Sequence, residues 1–226
     1  MRYITAYFLF LFGIMSVFAQ SEQRSVALSA IERSFLAMPD EDYLPMEIRK
    51  QMVAQYHIAT EDSLRWVRNR FNGKSKIEKI VPKNNWMKIR TSEVASLELK
   101  LLPVGDSTSV MVLIYSVCGP TCASQVSVFR SGWVSMRESI VPRLSIMDFL
   151  DKEKIQKEEQ NLDKIQSIID IPFIEYFFDE KDVLHVRLNT DKFLEKETFD
   201  KVKDYIKTFE YQYVWNGRRF NLLDEQ

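Results

Sequence analysis

The most chemically distinctive string in the sequence is Cys118-Gly119-Pro120-Thr121-Cys122, two thiols with three residues between them. It reads as a redox Cys-Gly-Pro-Cys string with one residue inserted. Redox pairs work at a helix N-terminus, where the dipole lowers the pKa of the first thiol. Here the pair follows the apolar run Val110 to Tyr115 and precedes Val126 and Val128, which alternate as in a strand. That context predicts a structural disulfide across a hairpin loop, because directly opposed strand residues lie within disulfide reach. Unpaired thiols and thiol–disulfide chemistry by Cys118 and Cys122 stand as the alternatives.

Other catalytic constellations are thin. The two histidines, His57 and His185, are far apart in sequence, and no His-x-His, His-Glu-x-x-His or cysteine cluster supplies the three or four ligands of a metal site. His57 is expected to be solvated, and His185 to share a polar strand face with Arg187. No Gly-x-Ser-x-Gly string places a serine for nucleophilic attack, and no glycine-rich phosphate loop occurs. The reading is therefore no catalytic residue, no metal and no cofactor. An enzyme whose carboxylates are brought together only by folding remains the alternative.

Aromatic residues supply a different chemistry, that of contact. Phe209, Tyr211, Tyr213 and Trp215 fall on one face of a single strand pattern, mostly as core. Trp133 and Trp215 flank the turn pairs Ser131-Gly132 and Asn216-Gly217. Trp133, Tyr213 and Trp215 are the candidate binding residues, with Trp215 expected to be the most exposed, since rigid aromatics on a sheet carry large contact area.

The elements that must position these residues follow from periodicity. Helices are expected around Leu28, Ile31 and Phe35, and from Leu44 to Tyr56. A third is expected from a Thr60 cap through Leu64, Val67 and Phe71 to Asn72-Gly73. Strands follow at Ile77 to Val81, Trp86 to Thr91, Ser96 to Leu102, Val110 to Tyr115, Val126 to Arg130 and Trp133 to Arg137. In Ser96 to Leu102 the leucines alternate with Ser96, Glu98 and Lys100, the signature of a strand with one solvated face. Ser145 to Ile168 reads as one long charged helix. Two hairpins close the chain, Phe173 to Asn189 and Phe209 to Leu223, with a helix between them that turns Phe199, Val202 and Ile206 inward.

At its start the chain runs Met-Arg, then an apolar stretch, then Val17-Phe18-Ala19. This predicts a signal peptide over residues 1–19, cleaved after Ala19. The whole chain carries 31 basic and 32 acidic side chains. Removing Arg2 with the leader leaves 30 against 32, a balance with no attraction for nucleic acid. No later stretch is long and apolar enough to span a membrane, so none is expected after cleavage. Two segments are expected in the mature part. Residues 20–140 would hold the N-terminal helices and an antiparallel sheet, and 141–226 a helix and a four-stranded lobe. Both run helix, strands, then a hairpin on a polar-Gly pair, which allows two similar lobes.

The strings Phe35 to Asp40, Leu44-Pro45, Phe71 to Ser75, Leu99 to Pro103 and the hairpin around Trp133 resemble a family of secreted Bacteroidales proteins of unknown function. The resemblance covers most of the mature chain. It implies a soluble protein of the periplasm or cell exterior and carries no activity over. The expectation is an α+β fold, antiparallel sheets with helices packed on one side. Its function is read as non-enzymatic binding of another envelope protein or a surface polymer.

Overall fold

The computed structural model describes residues 27–40, 44–106, 108–137 and 140–223. The expected signal peptide, residues 1–19, lies outside them. The fold is α+β. Two antiparallel meanders pack face to face, and short helices cover what they leave open.

Helix α1 (Ala30–Leu36) starts at Ser29, whose hydroxyl and backbone pair reciprocally with Glu32 in a capping box. Helix α2 (Met46–Ile58) starts at Pro45, where a missing N–H is no loss. Their inward residues Ile31, Phe35, Met52 and Val53 meet Ile77, Met87, Ile89, Leu97 and Leu99 of the larger sheet in a dry core. Between helix and loop lies the fully buried Arg49. Its guanidinium donates to the carbonyls of Leu44 at 2.8 Å and Pro39 at 3.1 Å, and pairs with Asp40 at 3.2 Å.

The expected third helix does not form. Asp62–Arg65 makes only a 3₁₀ turn, and Val67–Arg68 is strand β1. The reason is Asn69. Its side-chain oxygen accepts from the N–H groups of Phe71 and Gly73, both at 3.0 Å, and its amide donates to Ser75 and to the Thr91 carbonyl. These bonds fix a tight turn into β2 (Lys74–Val81), and sheet pairing outweighs the local capping signals. Leu64 and Phe71, expected inward, are exposed.

The larger sheet continues through β3 (Trp86–Arg90), β4 (Ala95–Val104), β5 (Thr108–Cys118), β6 (Cys122–Arg130) and β7 (Val134–Ser135), in sequence order. Here β4 departs from expectation. It has no solvated face: Leu97 and Leu99 face the helices, while Glu98 and Lys100, each 3 % exposed, face the second sheet.

Ser145 to Ile168 is three helices, not one: α3 (Ile146–Phe149), α4 (Lys152–Lys157) and α5 (Leu162–Ile168). Ser145 and Asp148 do form a capping box, but Asp151 and Asn161 each cap a new start, and Glu159 at φ 52° ends α4. The breaks let Ile146, Phe149, Ile155 and Ile165 all reach one core.

The second sheet consists of β8 (Ile174–Phe178), β9 (Val183–Leu188), β10 (Glu210–Trp215) and β11 (Phe220–Leu222), ordered β11-β10-β9-β8. Between β9 and β10 the expected helix shrinks to one turn, α6 (Lys196–Phe199), though Val202 is buried as expected. At the last hairpin only Gly217 has positive φ. Asn216 instead accepts from the N–H groups of Arg218 and Arg219. Residues from both sheets share one core, including Trp86, Leu102, Val112 and Ile114 with Tyr176, Phe178, Leu184 and Val186. No helix among the described residues is long and apolar enough to cross a membrane.

Candidate functional site

A groove of about 720 Å³ opens where α3 and α4 pass over the inward face of β10 and β11. Tyr211, Tyr213 and Leu222 form its sheet side, and Met147, Leu150 and Lys152 lie on its helical side. Strand alternation puts the two tyrosines on one face, their rings 6.4 Å apart. Tyr211 is locked: its hydroxyl donates to the Asp148 carbonyl at 2.6 Å, and its ring packs on Phe149. The helical wall is stitched down by backbone bonds from Asp151 to Tyr205 and from Lys207 to Phe149, both 2.8 Å. The groove is therefore built on paired backbone.

Burial, reinforced by the nearby Tyr211, Tyr176 and Asp148, pushes the Tyr213 hydroxyl up to about 12. It stays a neutral phenol across the physiological range and offers a hydrogen-bond donor beside an aromatic face. Of the groove's three carboxylates, Asp148, Asp151 and Glu153, the first two serve structure. Asp148 accepts from the Ser145 N–H and hydroxyl at 2.7 and 2.9 Å, and Asp151 accepts from the Lys154 N–H at 2.9 Å.

Of the candidate binding residues, only Tyr213 lies in the groove. The Trp215 indole donates to the Pro103 carbonyl at 2.8 Å and its ring packs on Phe220, so it braces the two sheets. It is half-buried, and Phe209 is the exposed member of that face. Trp133 donates to the Ser34 carbonyl at 3.1 Å and packs on Phe129, tying the β6–β7 turn to α1. Tyr211 and Leu222 complete the sheet side. The alternation that marked Tyr213 also marks Tyr211, two residues away. No local signal marked Met147 and Leu150, because the single-helix reading hid the turn that presents them.

Cys118 and Cys122 are disulfide-bonded and directly opposed in the β5–β6 register. They cap a hairpin, not a helix start. His57 is exposed, as expected, yet its Nε2 lies 2.5 Å from a carboxylate oxygen of the buried Glu32. Burial works to raise the pKa of Glu32, yet hydrogen bonds from Ser29 together with His57 bring it below the usual range. On the outward face of the second sheet, His185 and Arg187 both pair with Glu210, at 2.8 and 2.6 Å, and the His185 ring stacks on Phe177. Burial of Glu210 is outweighed by these bonds, so its pKa is lowered.

Fold and groove thus define a two-sheet α+β protein with an aromatic groove. Residues 23–220 match the family model described as a protein of unknown function, DUF3256, and the chain belongs to that family. Among solved structures it is similar to a domain of an uncharacterized protein from Porphyromonas gingivalis W83. The identity is 19%, the TM-score 0.70, and the match covers 88% of this chain and 100% of that one. At that identity the likeness shows the fold alone. No curated protein matches the sequence.

Proposed function

We propose that this protein is a non-enzymatic binding protein of the bacterial envelope, exported by its signal peptide, and that the Tyr211–Tyr213 groove holds its partner. The partner is a segment of another envelope protein or of a surface polymer. Residues 141–226 form the lobe that carries the groove, and 20–140 the scaffold behind it. One observation carries the reading: an aromatic groove on rigid elements, two of whose three carboxylates, Asp148 and Asp151, are already engaged at helix starts. Aromatic side chains on rigid strands lose little entropy when they are covered, which makes them efficient anchors. The disulfide fits an oxidising compartment.

The test is affinity capture from native envelope with the wild type and with Tyr213→Ala. Tyr213 is half-buried and its hydroxyl is not needed to hold α3, so the variant is expected to melt within a few degrees of the wild type. Partner recovery is expected to fall about tenfold, the loss of one anchor of roughly 1.4 kcal/mol. Equal recovery by a folded variant removes the groove from the function, and a defined turnover at this site replaces binding with catalysis.

A further inference from the structure

The disulfide corner holds more than two sulfurs. Cys118, Cys122 and Glu175 each offer a ligand atom, and the three atoms lie within 4.8 Å of one another. Glu175 comes from β8 of the other sheet, so the cluster is brought together only by the packing of the two meanders. All three residues are half-buried. Asn189 orients the corner from behind: its amide donates to the Glu175 carboxylate at 2.9 Å and to the Cys122 carbonyl at 3.1 Å.

We propose that, once the disulfide is reduced, Cys118, Cys122 and Glu175 bind a zinc(II) ion. The Cys-x₃-Cys spacing lies within the range that zinc sites use, and thiolates with a carboxylate suit this borderline-soft ion. Three protein ligands leave a coordination position open to water. The site is preorganised without the S–S bond. The Cα atoms are 4.0 Å apart across a paired register. Cys118 N–H donates to the Val94 carbonyl at 2.7 Å, and the Gly119 N–H to the Thr121 carbonyl at 2.9 Å. Asn189 acts as the outer shell that fixes a ligating carboxylate. The chemistry balances. A dithiol supplies two electrons and two protons, giving two thiols here and a disulfide on the reductant. Zinc then forms two Zn–S bonds as both thiol protons leave to solvent, and the Glu175 carboxylate adds the third bond. The two cysteines therefore hold either each other or a metal.

The experiment uses the full chain, reduced with a phosphine that is itself oxidised to its oxide, with zinc chloride as the probe. Native mass spectrometry is expected to show one zinc on the reduced protein and none on the oxidised protein. Cobalt(II) in place of zinc is expected to give a sulfur-to-metal charge-transfer band in the reduced protein. Glu175→Gln keeps an oxygen for Asn189 but lacks the anionic ligand, and is expected to weaken zinc binding about 10–100-fold. Circular dichroism confirms that the reduced chain and the variant are folded. Absence of zinc from the folded, reduced chain overturns the proposal. So does equal binding by the oxidised chain, or equal affinity in Glu175→Gln.

Discussion

The two faces of β4 are built in opposite ways. Toward the helices, Leu97 and Leu99 pack into a cluster of apolar side chains. Toward the second sheet, the same strand presents Glu98 and Lys100, almost as deeply buried. Glu98 accepts from the Trp86 indole at 3.2 Å and the Phe178 N–H at 3.0 Å, and pairs with Lys88 at 3.3 Å. Lys100 donates to the Asn84 carbonyl and to Asp182, both at 2.5 Å. The helical layer comes from residues earlier in the chain and meets β4 through apolar packing. The second sheet arrives from a distant part of the chain, and directional bonds fix where it lands. Burying charge is a poor source of net stability, but it penalises every misplaced docking. The dry face should therefore carry stability, and the polar face should carry register.

The largest expected effect lies on the dry face. Leu99→Ala removes a fully buried side chain from a packed core. It should cost about 3–5 kcal/mol, read from urea unfolding. Glu98→Ala should cost less, about 2–3 kcal/mol, since it strands the Trp86 and Phe178 N–H groups while the half-exposed Lys88 can hydrate. The reverse order would break the comparison.

That contrast also marks how far the sequence could be read. Alternation identified the Glu98–Lys100 face of β4 but not what covers it, because the covering strand β8 carries no local trace at β4. Strands and their turns were legible wherever the pattern was local, as at Pro82 to Asn85 and Ser131-Gly132. Around Asn69 the helix signals were real but weaker than four side-chain hydrogen bonds, two in its own turn and two to Ser75 and the Thr91 carbonyl in the folded sheet. In the long charged segment, Asp151 and Asn161 were visible as residues, yet their role as caps emerged only with the core they serve. At the candidate site, aromatic type gave contact area without telling whether it was already used. Trp133 and Trp215 spend their indoles on Ser34 and Pro103, and Tyr213 does not share that fate.

A pH series sharpens the polar face. Burial raises the Glu98 carboxyl above its usual 4.5, with Lys88 and the hydrogen bonds from Phe178 and Trp86 acting against it. Between 4.5 and the raised value the folded chain binds more protons than the unfolded one. Glu98 thus contributes stability that is complete below 4.5 and declines as pH rises through that window. Glu98→Gln has no such titration. The stability of the wild type minus that of Glu98→Gln should fall with rising pH from 4.5 and then level off. A difference that grows with pH would mean that Lys88 outweighs burial.

The disulfide should matter less for stability than either face. Closing so short a loop contributes about 2 kcal/mol at most in the chain-entropy model. Reducing Cys118–Cys122 without metal should lower the urea midpoint modestly and leave the β5–β6 register intact. Loss of cooperative unfolding would show the corner to be a necessary clamp between the sheets.

The smallest effect is the most telling. Lys100→Met removes a buried ammonium and keeps most of its stem volume. Its partner Asp182 is half-exposed and can turn to water, so no buried charge is left unpaired. Replacing a buried ionic group by an apolar one of similar size is often neutral. The expected change in stability is within about 1 kcal/mol. Register should respond differently. Lys100 and Asn84 join the β2–β3 turn to the β8–β9 turn, through Asp182 and through the Asn84 amide bond to the Glu180 carbonyl at 2.8 Å. Without Lys100 that contact keeps only its outer half. Amide exchange at Asn85 and Leu101, which are tied into this turn, should accelerate while exchange at Leu97 and Leu99 does not. Uniform acceleration would mean that the lysine holds up the whole fold, and no acceleration that the docking is set by the shared apolar core alone.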